Sequence, residues 1–266
     1  MQPFGRSSIP SRHSRFVAHQ DRARIPTVFA AESPRSARCA RIETNSARLR
    51  LGGLVRLGQA EDHPFVRREF PVLQQTLALA AARHPRNVTN LDDVARQAGD
   101  FAQALVALDA TIETTGSAEG PRRLPFAALH RQAFESLQVE TSLEPGEVIT
   151  FIDIPRGPWT HRSRYLKVRN REWYQFALTS AVVALHVEEE VIQEARIALG
   201  GVATAPWRAY EAEAVLIGHA LDESLALRAA EVAFAQAHGP KQDLYKVPVG
   251  KHTLVRALFE TYAMSV

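Results

Sequence analysis

From Leu49 onward, apolar residues recur at two different spacings, and the spacing predicts the elements. Leu49-Arg50-Leu51-Gly52-Gly53-Leu54-Val55 alternates apolar and polar positions before its glycines, which predicts a strand with glycine punctuation. Phe70-Pro71-Val72-Leu73 opens an apolar-periodic helix through Ala82. Between Asp92 and Ala110, Val94, Phe101, Leu105 and Leu108 recur at helical spacing and predict one buried helical face, followed by a trailing strand. Thr114-Thr115-Gly116-Ser117 and Glu144-Pro145-Gly146-Glu147 carry turn residues, and the second turn leads into a strand, Val148 to Ile154, closed by Pro155.

After a linker from Arg156 to Arg162, the pattern predicts three strands: Tyr165 to Arg169, Thr179 to Val187, and Val191 to Leu199. The charged turn His186 to Glu190 joins the last two as a hairpin, although their alternation is imperfect for a sheet with one buried face. Helices are expected at Arg208 to Ile217, Glu223 to His238, and Lys251 to Tyr262, the first two stopping at Gly218 and Gly239. The expected fold class is α+β, with an α/β unit at 49–160 and a C-terminal unit at 161–266 built on a three-stranded antiparallel sheet with helices.

Residues 1–48 mix Ser, Pro, Arg and Ala with no sustained period, so they offer no core face and are expected to form a disordered basic leader. The net charge of +3 is concentrated there, in Arg22, Arg24, Arg35, Arg38, Arg41 and Arg48. Without interleaved aromatic residues or a recognisable module, this charge does not make a nucleic-acid binder. The single cysteine, Cys39, excludes an intrachain disulfide and a thiolate set for an iron–sulfur cluster. No apolar run is long enough to cross a bilayer and the N-terminal residues carry arginines and serines without the apolar block of a secretory signal, so a cytoplasmic location with no membrane partner is expected. The histidines show no metal-ligand spacing, and neither Ser136 nor Ser180 has the surroundings of a nucleophile.

Several blocks then occur in a fixed order: Leu143-Glu144-Pro145-Gly146-Glu147-Val148-Ile149-Thr150, Tyr165-Leu166-Lys167-Val168-Arg169-Asn170-Arg171, Phe176 to Ala181, and Ala198-Leu199-Gly200-Gly201-Val202-Ala203. Together they resemble the FAD-binding medium subunit of the xanthine dehydrogenase and carbon monoxide dehydrogenase (molybdenum hydroxylase) family. The resemblance implies an electron-transfer subunit that binds FAD. Its partners would be an iron–sulfur small subunit and a molybdopterin large subunit that oxidises an aldehyde or an N-heterocycle. It also implies roles for three residues. Lys167 would lie near the flavin ring, where an ammonium favours negative charge on the reduced ring. Asp100, in Gly99-Asp100-Phe101-Ala102, would accept hydrogen bonds from flavin-side hydroxyls. Ile149 would wall the ring.

Each residue also has a purely structural reading: Lys167 as a charge on an edge strand, Asp100 as a helix N-cap, and Ile149 as a core strand residue. The family's two glycine loops for the dinucleotide's diphosphate find no match here. The early loop has no counterpart, and Arg86-Asn87 begins the second but continues into Val88-Thr89-Asn90-Leu91-Asp92-Asp93 without a glycine pair. The alternative is therefore a flavin-free remnant that acts only as a subunit-interaction module, or an inactive truncated product.

Overall fold

The computed structural model describes residues 34–80, 87–131, 140–169, 177–235, 237 and 245–266. Two antiparallel sheets organise the chain. The first has the order β1-β2-β5-β3-β4, with β1 Ile42–Thr44, β2 Arg48–Gly52, β3 Thr111–Thr115, β4 Arg122–Pro125 and β5 Val148–Pro155. Period-two patterning sets its two faces. Leu49, Leu51, Ile112, Ile152 and Ile154 are fully buried on one side, while Arg50, Glu113 and Asp153 pair with one another on the other. Against the apolar side lie α2 Leu57–Asp62, α3 Pro64–Glu69, α4 Pro71–Ala80, α5 Leu91–Ala95 and α6 Asp100–Ala107.

The second sheet runs β6-β7-β8-β9, with β6 Ser163–Val168, β7 Thr179–Glu188, β8 Val191–Gly200 and β9 Trp207–Arg208. The three expected strands pair in the expected antiparallel order, and the short β9 adds a fourth. Ala181, Val183, Leu185, Ile197 and Leu199 pack into a core with α7 Tyr210–Leu216, α8 Glu223–Ala233 and α9 Lys246–Tyr262. Tyr165, Val182, Ala184 and Ala198, on the opposite face, enter the core of the first unit beneath α4 and α6. This sheet is therefore covered on both faces, which explains why its strands alternate poorly in sequence: neither face is reserved for water. The hairpin between β7 and β8 turns on Glu189 and Glu190, both left-handed with φ of 48° and 65°, the geometry of a tight two-residue turn.

Some expectations are corrected. Residues 34–48, assigned to the leader, form α1 Pro34–Cys39 and β1, because Ile42 and Thr44 find partners in Leu51 and Leu49 across the sheet, a long-range pairing that local composition does not reveal. Residues 1–33 lie outside the described residues. The helix expected from Asp92 to Ala110 is two helices, broken at 96–99, where the turn reaches Gly99. The helix expected from Glu223 to His238 ends at Ala233, with Phe234 as its C-cap, while His238 and Gly239 themselves lie outside the described residues. Helix α9 starts five residues earlier than the periodicity indicated, and Gly250 within it admits the Phe234 ring, 2.5 Å from where a Cβ would sit.

Buried charge also ties the turns to the first sheet. Glu147 is 1% exposed, and it accepts bonds from Arg122 Nε at 2.9 Å, Arg122 Nη2 at 2.6 Å, the Thr114 hydroxyl at 2.5 Å and the Glu144 N–H at 2.9 Å. Burial pushes its carboxyl up, but Arg122 and the other donors outweigh burial and hold it below the ordinary value of 4.5. Glu113, hydrogen-bonded to Arg50, is held down as well. A depressed carboxyl stabilises the fold above its unfolded pKa, and that contribution disappears as pH falls through the folded pKa. Urea titrations between pH 6 and about pH 3 are expected to show stability falling below roughly pH 4.5, with a shallower fall in Glu147→Gln. An identical slope in that variant would refute the assignment.

Candidate functional site

Helix α6 lies against the second sheet, and polar contacts hold it at three levels. At its first turn, Asp100 follows Gly99, the N-cap, so the N-cap role expected for Asp100 falls to its neighbour. Asp100 is free to reach across to β6. Its Oδ1 accepts the Tyr165 hydroxyl at 2.7 Å, and its Oδ2 accepts Lys167 Nζ at 2.6 Å. Tyr165 and Lys167 stand two residues apart on one strand and so share a face. The ion pair is nearly closed to water, with side-chain exposures of 4% for Lys167 and 12% for Asp100. Burial raises the Tyr165 pKa strongly and the Asp100 charge raises it further, so the phenol stays protonated as a donor.

One turn along, the buried Gln103 donates from Nε2 to the carbonyls of Ala198 at 2.7 Å and Ser180 at 3.3 Å, and its Oε1 accepts the Ser180 hydroxyl at 2.7 Å. At the far end, Arg208 Nη1 donates to the carbonyls of Val106 at 3.0 Å and Ala107 at 2.9 Å and to Asp109 Oδ1 at 2.7 Å. Its Nε and Nη2 bind Glu213, which in turn accepts the Ile197 N–H at 2.6 Å. Arg196 adds a bond to Asp109 and stacks on Trp159, with its Cζ 3.7 Å from the ring centre. These groups fix the position of the helix whose first residue carries the Asp100 carboxylate.

Beside Asp100 and Gln103 opens a cleft of about 180 Å³, walled also by Gly99, Ser180, Gly200 and Pro206. The walls are small for packing reasons. A Cβ on Gly200 would lie 2.4 Å from Gln103 Oε1 and 2.7 Å from the Ser180 hydroxyl, so a larger residue there would push against both. The structure thus brings together Asp100 and Lys167 as expected, but not Ile149. Ile149 is fully buried on β5, its N–H donates to Asp92 Oδ1 at 2.9 Å, and it does not line the cleft. Its carbonyl lies 2.0 Å from where a Cβ on Gly53 would be, so backbone packs directly over it. The strand's pleat and the Asp92 contact turn this residue into the core, away from the cleft beside Asp100.

Tyr165, Gln103, Ser180 and Arg208 were not singled out as site residues in the sequence. For Tyr165 the signal was there: its i,i+2 relation to Lys167 on a strand. Gln103 was marked by being a lone polar residue in the apolar run Phe101 to Leu108. Glu213 lies five residues from Arg208, but the contacts that hold the end of α6 come from partners about a hundred residues away and leave no local signal.

A layer of helices lies on a five-stranded antiparallel sheet, joined to a sheet-and-helix unit with a polar cleft at the seam. Residues 36–157 match the FAD binding domain in molybdopterin dehydrogenase, and residues 164–266 match the CO dehydrogenase flavoprotein C-terminal domain. The chain belongs to the family of FAD-binding subunits of molybdenum hydroxylases. It is 28% identical to the aldehyde oxidoreductase FAD-binding subunit PaoB of Escherichia coli K12, over 84% of this chain and 81% of that protein. It is 31% identical to the carbon monoxide dehydrogenase medium chain of Afipia carboxidovorans OM5, over 65% of this chain and 58% of that one. In structure it superposes on the Cu,Mo-CO dehydrogenase in its cyanide-inactivated form with a TM-score of 0.75 and 26% identity, covering 85% of this chain and 79% of that one. It also superposes on the reconstituted CO dehydrogenase of Oligotropha carboxidovorans with a TM-score of 0.76, where 24% identity shows the fold alone.

The residues at the cleft fit the ring and polyol end of a flavin dinucleotide. The Asp100 carboxylate lines the cleft with Lys167 paired behind it, and glycine and small side chains let a flat ring approach the backbone. At the diphosphate end, the stretch after Asn87 leads directly into α5, where Asp92 binds Arg96 and the Ile149 N–H. Arg86, the start of the expected second loop, lies outside the described residues. Among the described residues no helix is long and apolar enough to cross a membrane, and no group of His, Cys, Asp and Glu could hold a metal ion.

Proposed function

We propose that the chain is the FAD-binding electron-transfer subunit of a cytoplasmic molybdenum hydroxylase, working with an iron–sulfur small subunit and a molybdopterin large subunit. The observation that carries this reading is the buried Lys167–Asp100 pair at the seam between the two units, in a chain whose family is defined by FAD-binding subunits. FAD, when bound, supplies the redox chemistry. Lys167 would supply the positive charge that favours the negative charge a flavin ring gains on reduction. Asp100 holds Lys167 and Tyr165 in place and offers acceptor oxygens for hydroxyl groups. Tyr165, kept protonated, donates its proton in the hydrogen bond to Asp100 and does not titrate in the working range. Gln103 and Ser180 satisfy each other, which closes that wall against stray water.

The substrate would be oxidised on another subunit, so this chain would carry only the electrons. Purified protein is expected to be yellow, or to become so on adding FAD, with one flavin per chain by absorbance near the usual flavin bands. A colourless protein that does not take up FAD yet still associates with its iron–sulfur partner would replace this reading with the flavin-free interaction module.

A further inference from the structure

We infer that the outer face of the five-stranded sheet carries a second ligand site, one for a small phosphate ester that carries a flat ring, such as a nucleoside monophosphate. A cavity of about 420 Å³ opens there, walled by Arg38, Arg50, Arg123, Glu113, Thr115 and Phe151, and it shares no residue with the Asp100 cleft. Its volume falls in the range of small-molecule pockets. Cross-strand register explains how the charges gather: Glu113 stands opposite Phe151 on one side and Arg123 on the other, and Arg50 lies opposite Asp153 in the next row.

The flat wall comes from Arg50 and Phe151. The Arg50 guanidinium lies over the Phe151 ring at 3.9 Å, held there by Glu113 at 2.6 and 3.0 Å and Asp153 at 2.7 Å. An arginine fixed against an aromatic ring is a platform on which a further flat ring can stack.

The anion site comes from the arginines that are not consumed. Arg50 is committed to Glu113 and Asp153, with Glu43 3.9 Å away, and Arg122 is committed to Glu147. Arg123 touches Thr111 Oγ1 at 3.2 Å and stands 3.8 Å from Asp153, which leaves its Nε and Nη1 without a partner among the described residues. The Arg38 guanidinium is exposed and likewise has no partner among the described residues, and its field, with that of Arg50, reaches the buried Cys39 thiol. Glu113 is held down first by its bond to Arg50 and also by the charges of Arg123 and Arg48, as expected where the local potential is positive. Paired guanidinium donors match a phosphate's oxygens, and the ring platform lies beside them.

The test is calorimetric titration of the full chain with AMP, adenosine and sodium phosphate at low ionic strength. AMP is expected to bind, with adenosine and phosphate alone each weaker by about tenfold or more. Arg38→Gln and Arg123→Gln replace exposed side chains, so both variants are expected to fold as the wild type does and to weaken AMP by about tenfold each. Arg256→Gln, an exposed change on α9, should leave AMP affinity unchanged. The proposal is overturned if AMP does not bind, if adenosine binds as well as AMP, or if both arginine variants keep wild-type affinity, which would place the nucleotide elsewhere.

Discussion

Lys167→Met is expected to lower the stability of the fold by about 3–5 kcal/mol, because removing one partner of a buried pair leaves the other charge uncompensated. Asp100 would keep only the Tyr165 hydroxyl, behind side chains that admit little water. Its place at the first turn of α6, where the helix's positive end favours a carboxylate, moderates the loss toward the lower end of that range. The double variant Lys167→Met with Asp100→Asn should be less destabilised than the sum of the two single changes, since it leaves no orphan charge. Urea unfolding of the four proteins measures this directly. A single-variant loss below about 1 kcal/mol would mean the pair is solvated and would remove its claim to define a dry site. Lys167→Arg, which keeps the charge, separates folding from flavin chemistry: it should fold well but shift the flavin's reduction potential.

Arg208→Met is the second large effect, again about 3–5 kcal/mol. The change takes donors from two carbonyls at the end of α6, from Asp109, and from Glu213, whose side chain is 9% exposed. One partial gain opposes it: Arg196, held down first by burial and then by the charge of Arg208, would be relieved. Arg208→Lys should recover little, because an ammonium cannot span the helix carbonyls and Glu213 together. The urea midpoint checks the loss, and flavin affinity checks its reach: with the far end of α6 released, Asp100 should hold the cofactor less well. If stability falls but flavin affinity is unchanged, α6 does not carry position from one end to the other.

How much of this was legible in the sequence depends on range. The three long strands of the second sheet, the turns at Gly116 and Gly146, and the placement of Asp100 and Lys167 were readable, because local period and glycine fix the first two and ordered motifs the third. Residues 34–48 were misread because β1 exists only through its pairing with β2. For Ile149 a strand motif gives the residue's place in the chain but not the direction of its side chain once Asp92 and Gly53 pack beside it. Arg208 was invisible for the opposite reason: it serves a helix end a hundred positions upstream, and its importance is written in tertiary geometry alone.

The second sheet, sandwiched between its own helices and those of the preceding unit, has no side to spare. Val182 and Ala184 answer to α4 and α6, while their neighbours Ala181 and Val183 answer to the C-terminal helices. Two halves recognised as separate modules thus meet on opposite banks of one strand, and a change of volume on either bank of β7 is felt by the other through the shared backbone.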